Sequence, residues 1–236
     1  MSQRQLFLSN SVSVGLILVV VAVSCLCGTS QAMMANSHKK ARFVTNTMCP
    51  FAHKAWIALE IAKIPYEMEE IGLYGAGGKP DWFWKLNPQG TVPVLVTCTG
   101  AVLTESDAIL DYAQAQMTDS IPSDAPERIH QLRSLVNQRL LPSGKQAVLQ
   151  NKKQKLAETL DRLEEDYRRT NSAYLAGDIV STADCQAFPF LWRIRQEFGD
   201  DVLDPAQHPG LCQRLDRCES LPTFRNTIPR SWWWWW

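Results

Sequence analysis

A cysteine stands between two regular elements in the stretch Arg42-Phe-Val-Thr-Asn-Thr-Met-Cys-Pro-Phe-Ala-His-Lys-Ala-Trp-Ile-Ala-Leu-Glu-Ile61. Residues 42–45 have the composition of a short strand, and apolar residues recur with helical spacing over residues 50–62. Pro50 suits the first helical turn, because the amide that it lacks would have no partner there. The pattern therefore predicts a strand, a tight connection and a helix that begins just after Cys49.

A thiol at a helix start is expected to be reactive. The pKa of a cysteine can fall from about 8.5 to roughly 3.5–7.5 in such a place, and His53 and Lys54 are expected to add positive potential. The alternative is a buried structural cysteine. Ala52 occupies the position where a C-x-x-C motif has its second cysteine. A mixed disulfide on Cys49 would therefore need an external thiol to resolve it.

The rest of the first half alternates between strand-like and helical segments. Residues 65–71 alternate like a strand, and residues 72–80 form a Gly-rich loop. Residues 92–97 and 101–103 flank a short turn and predict a hairpin, and residues 106–116 have helix periodicity. The order βαβ followed by ββα predicts a small α/β domain over residues 41–119.

The second half has a different pattern. Residues 118–126, rich in Pro, Ser and Asp, are typical of a linker, and no strand pattern recurs beyond them. The charged run over residues 164–169 is expected to be a solvated helix face. An all-α domain is therefore predicted over residues 127–230. Helix is favoured in four segments, residues 127–140, 145–169, 182–198 and 210–219.

A second motif is Asn87-Pro-Gln-Gly-Thr-Val-Pro-Val-Leu95. Pro93 removes a hydrogen-bond donor from a strand-like run, so we expect it at a strand start or bulge, with a cis peptide before it. Such a bend would present the backbone of Val92 to an extended peptide, as in strand addition. The alternative is an ordinary edge strand.

A third motif is Glu105-Ser106, at the start of the helix predicted over residues 106–116. The Ser106 hydroxyl and the amides of a helix N-terminus suit a carboxylate, and the carboxylate of Glu105 suits an ammonium. The alternative is a plain helix cap. Taken together, the three motifs predict a ligand that has a thiol, a peptide segment and an amino-acid head group.

These motifs, with Lys79-Pro-Asp-Trp-Phe-Trp84, resemble those of cytosolic-type glutathione transferases. Within that family the chain is similar to the cysteine-type group that includes the omega and dehydroascorbate reductase classes. The resemblance implies a thioredoxin-like N-terminal domain (α/β) followed by an all-helical C-terminal domain. It also implies glutathione as co-substrate, no metal, and a homodimer, the state of many members.

The resemblance further implies site residues. Cys49 would be the nucleophile and the partner in a mixed disulfide with glutathione. Six further residues are implied in glutathione binding: Phe51 at the cysteinyl pocket, Val92 and Pro93 at the cysteinyl backbone, Glu105 and Ser106 at the γ-glutamyl group, and Lys79 at the glycine carboxylate.

In the second domain, the stretch Tyr174-Leu-Ala-Gly-Asp-Ile-Val-Ser-Thr-Ala-Asp184 resembles the buried capping motif of the family. Ser181 would be the N-cap of a helix, and Asp184, three residues on, would accept a bond in return. Its role would be structural. The second substrate is expected between the domains, where Phe188 and Trp192 are either walls of the cleft or core.

Composition limits the function classes. The 236 residues include 24 Lys+Arg and 24 Asp+Glu, and this zero net charge provides no field for a phosphate backbone, so we expect no nucleic-acid partner. A hydrophobic fraction of 45% is typical of a folded globular chain. Five of the 7 cysteines follow residue 32, and this odd number predicts at least one free thiol.

Both ends of the chain lie outside the two predicted domains. Residues 1–32 have the pattern of a secretory signal peptide, with Arg4 before an apolar run and small residues at Ser30 and Ala32; the alternative is a signal anchor. We expect entry into the secretory pathway, with secretion, an endomembrane or, through a bipartite signal, a plastid as the destination. A chain whose leader is not used would stay cytoplasmic. In the tail, residues 231–236, the tryptophans from Trp232 to Trp236 predict peripheral membrane contact, and a disordered tail is the alternative.

Two functions remain. The first is a glutathione-dependent thiol transferase or reductase, dehydroascorbate-reductase-like, acting in redox metabolism or detoxification. Its Cys49 thiolate would attack a disulfide or a small electrophile, and glutathione would resolve the product. The second is a catalytically silent glutathione-transferase-like subunit that docks in a membrane-associated complex.

Overall fold

The structure, a computed structural model of the 236-residue chain, describes residues 40–73, 78–117 and 125–229. The leader predicted over residues 1–32 and the tryptophan run at residues 232–236 lie outside the described residues, so both stay predictions. Within the described part, no helix is long and apolar enough to cross a membrane.

The N-terminal domain has a four-stranded sheet. The strand order is β2-β1-β3-β4, with β1 parallel to β2 and antiparallel to β3, which is antiparallel to β4. This is the predicted thioredoxin-like arrangement. Its elements are β1 (Ala41–Thr45), α1 (Pro50–Ile61), β2 (Tyr66–Glu70), α2 (Asp81–Leu86), β3 (Val94–Val96), β4 (Val102–Leu103) and α3 (Ser106–Gln116).

The short helix α2 was not predicted, because six residues complete fewer than two turns and give little periodic signal. Asp81 in its first turn and Lys85 in its last suit the helix dipole. Phe83 is fully buried and belongs to the apolar cluster around the loop before β3. The other buried members of that cluster are Val44, Ala52, Ile71, Val92 and Val94.

The described residues 125–229 form helices and turns and contain no strand. They begin with α4 (Ala125–Leu135), a π-helical turn (Val136–Leu140) and α5 (Leu141–Gln150). They continue with α6 (Gln154–Thr170), α7 (Thr182–Phe198), a 3₁₀ turn (Gly199–Asp201), α8 (Pro209–Ser220) and α9 (Pro222–Arg225). The all-helical C-terminal domain is confirmed.

Two predicted boundaries are wrong. The helix predicted over residues 145–169 is divided, because Asn151 adopts a left-handed conformation (φ 52°) that ends α5. The predicted linker extends too far, because α4 begins at Ala125 and takes Pro126 into its first turn. The rest of that linker, residues 118–124, lies outside the described residues.

The charged run is solvated only in part. Glu164 is 3% exposed, and its carboxylate accepts the amides of Gly210 at 3.1 Å and Leu211 at 2.9 Å. These amides lie at the start of α8, where a helix has no internal acceptors. The prediction of a solvated face is therefore wrong at Glu164, because α8, distant in sequence, begins against it.

Helix α7 lies at the centre of the C-terminal domain and packs against α1, α4 and α8. Phe188 and Trp192 are 2% and 5% exposed and belong to its core. Phe188 contacts the rings of His53 and Phe224 edge-on. Of the two alternatives for Phe188 and Trp192, the structure supports core.

The predicted capping box at the start of α7 is present. Ser181 Oγ accepts the amide of Ala183 at 3.3 Å, while Asp184 Oδ2 accepts the amide of Ser181 at 2.9 Å and its hydroxyl at 3.0 Å. Asp184 Oδ1 accepts the amide of Leu175 at 2.9 Å. Burial raises the pKa of Asp184, although these hydrogen bonds act in the opposite direction.

We expect Asp184→Ala to lower the free energy of unfolding by about 3 kcal/mol, because the buried amides of Ser181 and Leu175 lose their acceptor. Urea denaturation measures the loss. The matched control is Asp178→Ala in the same loop: Asp178 is exposed and accepts the amide of Ala173, so its removal should cost less than about 1 kcal/mol. Equal losses in the two variants would contradict the structural role of the capping box.

Candidate active site

Cys49 lies between β1 and α1, as predicted. It is the N-cap residue of α1, with an extended backbone (φ −76°, ψ 120°), and Pro50 opens the helix. Its Sγ lies 3.9 Å from the carbonyl oxygen of Val92, to which the thiol donates a weak hydrogen bond. The peptide between Val92 and Pro93 is cis, as predicted. The thiol thus faces the loop that leads into β3.

That loop is fixed by Asn87, which is 1% exposed. Its Nδ2 donates to the carbonyl of Thr91 at 2.8 Å, and its Oδ1 accepts the amide of Gln89 at 3.2 Å. Gly90 has φ +67°, and a Cβ there would lie 2.3 Å from the ring of Trp84. The position requires glycine for both reasons. Asn87 and Gly90 therefore fix the conformation of the loop and, with it, the position of Val92.

The expectation of a lowered thiol pKa is wrong. Burial raises the pKa of Cys49 above its ordinary value. The backbone amides of Ala52 and Phe51 and the charges of Arg193 and Lys54 act in the opposite direction but do not outweigh it. Desolvation disfavours the thiolate, and a sequence pattern shows the helix start without showing how much water reaches the sulfur.

His53 does not supply the positive potential that was predicted. It is 1% exposed, and burial together with the charge of Arg193 lowers its pKa well below its ordinary value. Its Nδ1 lies 3.0 Å from Arg193 Nη1, and its Nε2 lies 2.9 Å from Thr227 Oγ1. His53 is therefore a neutral contact between α1 and the C-terminal domain.

Lys54 is also 1% exposed and connects the two domains. Its Nζ donates to Asp107 Oδ1 on α3 and to Gln186 Oε1 on α7, both at 2.9 Å. Asn137 closes the ring: its Nδ2 donates to Asp107 Oδ2 at 3.0 Å, and its Oδ1 accepts from Gln186 Nε2 at 2.5 Å. Each group in this ring has a partner, which a buried ammonium requires.

Residues 48–116 match the model of the glutathione S-transferase N-terminal domain, and residues 120–222 match that of the C-terminal domain. The chain belongs to the glutathione S-transferase family. The resemblance inferred from the motifs is thereby confirmed.

Relatives of this glutathione S-transferase include members of both expected classes. Glutathione S-transferase omega-1 of Rattus norvegicus is 27% identical over 163 residues, 65% of this chain and 66% of the relative. The chain thus matches just under two thirds of that protein's length. Glutathione S-transferase DHAR3, chloroplastic, of Arabidopsis thaliana is 25% identical over 190 residues, 76% of this chain and 68% of the relative.

Solved structures agree on the fold. Glutathione transferase Omega 1C from Trametes versicolor superposes with a TM-score of 0.70 at 20% identity, over 81% of this chain and 92% of that chain. A family member from Pseudomonas fluorescens, solved with two glutathione bound, has a TM-score of 0.69 at 15% identity, over 80% of this chain and 92% of that chain.

The other predicted site residues of this glutathione S-transferase lie in the first turn of α1, just before α2 and at the start of α3. Glu105 is the exposed N-cap of α3 and Ser106 is its first residue, 8% exposed. Phe51 is 42% exposed and meets Phe190 of α7 edge-on at 5.8 Å. Lys79 Nζ donates to the carbonyl of Leu73 at 2.6 Å. The direct contact among these predicted residues is that between Cys49 and Val92.

Sequence reasoning missed Arg193, which the structure places beside the turn that carries Cys49. Its Nη2 lies 3.4 Å from the carbonyl oxygen of Met48. A signal was present, since Arg193 is the one charged residue in the run Cys185-Gln-Ala-Phe-Pro-Phe-Leu-Trp-Arg-Ile194. A cation in such an apolar helical run is expected to be buried with partners.

Among residues 40–73, 78–117 and 125–229, no cluster of His, Cys, Asp or Glu could hold a metal ion. The five cysteines in this part of the chain are free thiols, of which Cys49 and Cys98 are partly exposed. The prediction of at least one free thiol is confirmed.

Because the pKa of Cys49 is raised, its thiolate fraction at neutral pH is smaller than that of a free cysteine. We expect alkylation of Cys49 by iodoacetamide to accelerate about tenfold per pH unit through neutral pH and to level off above pH of about 8.5. Peptide mass spectrometry measures the rate, with Cys98 in the hairpin turn as an internal comparison. A plateau reached below pH of about 8.5 would contradict the raised pKa.

We expect Lys54→Met to lower the free energy of unfolding by about 2 kcal/mol, because Gln186 and Asp107 lose a buried donor. The loss is moderated because the Asp107 side chain is 44% exposed and regains water. Lys85→Met, at an exposed position on α2, is the control and should change stability by less than about 0.5 kcal/mol. Thermal and urea unfolding measure the stability of both variants. A Lys54→Met protein as stable as the wild type would show that the hydrogen-bonded ring around Lys54 does not hold the domains together.

Proposed function

We propose that this glutathione S-transferase is a glutathione-dependent thiol transferase that uses Cys49 as its nucleophile. The observation that supports this most is the Cys49 thiol at the start of α1, 3.9 Å from the carbonyl of Val92 before a cis proline. A tripeptide whose backbone pairs with Val92 would bring its own sulfur to the Cys49 sulfur. A thiol in that position suits exchange with a disulfide.

The proposed binding mode uses groups at separate elements. The cysteinyl backbone of glutathione pairs with Val92, and its γ-glutamyl group lies at Glu105 and Ser106, where the start of α3 favours a carboxylate. Lys79 has protons left after its bond to Leu73 and can meet the glycine carboxylate. The exposed ring of Phe51 forms a side of the pocket.

The proposed reaction has two exchange steps. The Cys49 thiolate attacks the glutathione sulfur of a mixed disulfide; the new bond joins Cys49 to glutathione, and the other thiol leaves as a thiolate that takes a proton. A second glutathione, as its thiolate, then attacks the bound glutathione sulfur, releases oxidised glutathione and restores the Cys49 thiolate. No second cysteine takes part, because Ala52 occupies the position of a resolving cysteine.

The finer proposal is a reductase that resembles the dehydroascorbate reductase class. A relative named DHAR3 aligns over 76% of this chain, and its 25% identity leaves the second substrate open to experiment. Activity with hydroxyethyl disulfide but not with dehydroascorbate would limit the function to thiol transfer. Glutathione binding without turnover of either substrate would favour the catalytically silent subunit instead.

We expect Cys49→Ser to lose at least about 1,000-fold in glutathione-dependent reduction of hydroxyethyl disulfide, because a serine hydroxyl cannot form the mixed disulfide. Mass spectrometry of the wild-type protein treated with oxidised glutathione should find the adduct on Cys49. Cys98→Ser is the control and should keep wild-type turnover. Retained turnover in Cys49→Ser would exclude the proposed mechanism.

A further inference from the structure

Arg193 is a fully buried guanidinium where the two domains meet. It lies on α7 and is 0% exposed. Its Nη1 donates to the carbonyl of Pro189 at 3.0 Å and lies 3.0 Å from His53 Nδ1, and its Nη2 donates to the carbonyl of Met48 at 3.4 Å. These three contacts hold the guanidinium beside the turn that carries Cys49.

The hydrogen-bond pattern fixes the tautomer of His53. An arginine side chain has donors only, so His53 Nδ1 must accept from Arg193 and bears no proton. The ring proton is then on Nε2, which donates to Thr227 Oγ1 at 2.9 Å, and the Thr227 hydroxyl donates to the carbonyl of Phe224 at 2.7 Å. The cation in this chain of bonds is therefore Arg193. Burial lowers its pKa to about 10, which keeps it charged at neutral pH.

Two of the residues that Arg193 contacts, Met48 and His53, lie before and after Cys49 in the turn that begins α1. Met48 precedes Cys49 directly, and the amide of His53 donates to the carbonyl of Cys49 at 2.9 Å, the first hydrogen bond of α1. The guanidinium thus holds both ends of the turn that carries the thiol. The charge of Arg193 also lowers the pKa of Cys49, against the larger effect of burial.

We propose that Arg193 is a positioning residue for Cys49, a buried counter-charge from the C-terminal domain that stabilises the thiolate and fixes its turn. The inference deepens the proposed function and rests on it for the use of the thiolate in exchange. Its mode of action is electrostatic, because a residue with 0% exposure does not meet the substrate.

Other charged groups also face the thiol. Lys54 is the second cation that acts on Cys49, and the carboxylate of Asp107, 2.9 Å from its Nζ, offsets its field. His53 is neutral in the tautomer derived above. Of the two cations, Arg193 has the larger effect on the pKa of Cys49, so its removal should change the thiolate more than removal of Lys54.

The test is alkylation of Cys49 by two reagents of similar size, neutral iodoacetamide and anionic iodoacetate, followed by peptide mass spectrometry. Both report the same thiolate fraction, so the ratio of their rates reports the local charge alone. Arg193→Gln and Arg193→Met remove the charge, and Arg193→Lys keeps it. The matched control is Arg195→Gln, two residues on in α7, where the arginine pairs with Asp216 and Glu219.

We expect the ratio of iodoacetate to iodoacetamide rates to fall about threefold in the two neutral variants, which is the order of magnitude for the loss of one nearby unit charge at a high effective dielectric constant. At pH 6.5 the iodoacetamide rate itself should fall about threefold. A roughly tenfold loss of thiolate is partly offset because the more basic anion is about threefold more nucleophilic. Arg193→Lys and Arg195→Gln should both stay within about twofold of the wild type.

Folded neutral variants with an unchanged rate ratio would overturn the proposal, and so would an Arg193→Lys protein that behaves as they do. Circular dichroism establishes folding, and Cys98 alkylation, expected to be unchanged, monitors it locally. If neither neutral variant folds, the rate ratio at Cys49 is compared with the ratio at Cys98 in the wild type and in Arg193→Lys: a ratio about threefold higher at Cys49 in both proteins supports the counter-charge, and equal ratios overturn it. The alkylation test needs no glutathione, so turnover retained in Cys49→Ser would exclude the proposed function and leave this result standing.

Discussion

The burial of two consecutive basic side chains in α1, His53 and Lys54, is the constraint on which the rest of the structure depends. Each is 1% exposed, and each finds a partner outside the N-terminal domain. Burying an ammonium or an imidazole without such partners would cost several kcal/mol. The buried polar side chains of α1 therefore have all their hydrogen-bond partners only when the C-terminal domain is folded against the N-terminal domain. The packing of α7 against α1 is thus part of the folding of the site.

This dependence has a consequence for the nucleophile. Cys49 belongs to the N-terminal domain by sequence, but the turn that carries it is held from α7 through Met48 and His53. Cys49 itself packs against the apolar cluster of the N-terminal domain that includes Val92. Burial raises the pKa of Cys49 and the nearby cation lowers it, so the two opposing effects come from different domains.

Sequence reasoning succeeded where structure is decided locally. The helix predicted over residues 106–116 has those bounds, and the capping box of Ser181 and Asp184 is present, because both depend on residues within a few positions. It failed where a distant element decides. From sequence Glu164 is expected to be a surface charge, but the start of α8 packs against it and donates hydrogen bonds to its carboxylate. His53 is expected to be a cation, but its Nδ1 accepts a hydrogen bond from Arg193. The predicted chain order of strands and helices over residues 41–116 was right apart from α2, because each of the other segments carries its own periodic signal.

The opposing effects on Cys49 suit the proposed two-step exchange better than a strongly lowered pKa would. A thiolate attacks faster when it is more basic, but it is less abundant and leaves more slowly when a second glutathione resolves the mixed disulfide. Burial favours the strength of the first attack, whereas the charge of Arg193 favours both the abundance of the thiolate and its departure in the second step. A buried cysteine without a counter-charge would leave slowly when the second glutathione attacks the mixed disulfide. An exposed cysteine beside a cation would be a weaker nucleophile in the first attack. The placement of Arg193 behind the turn, where it contacts Met48, Pro189 and His53, brings a positive charge to the sulfur that burial alone would make slow to leave.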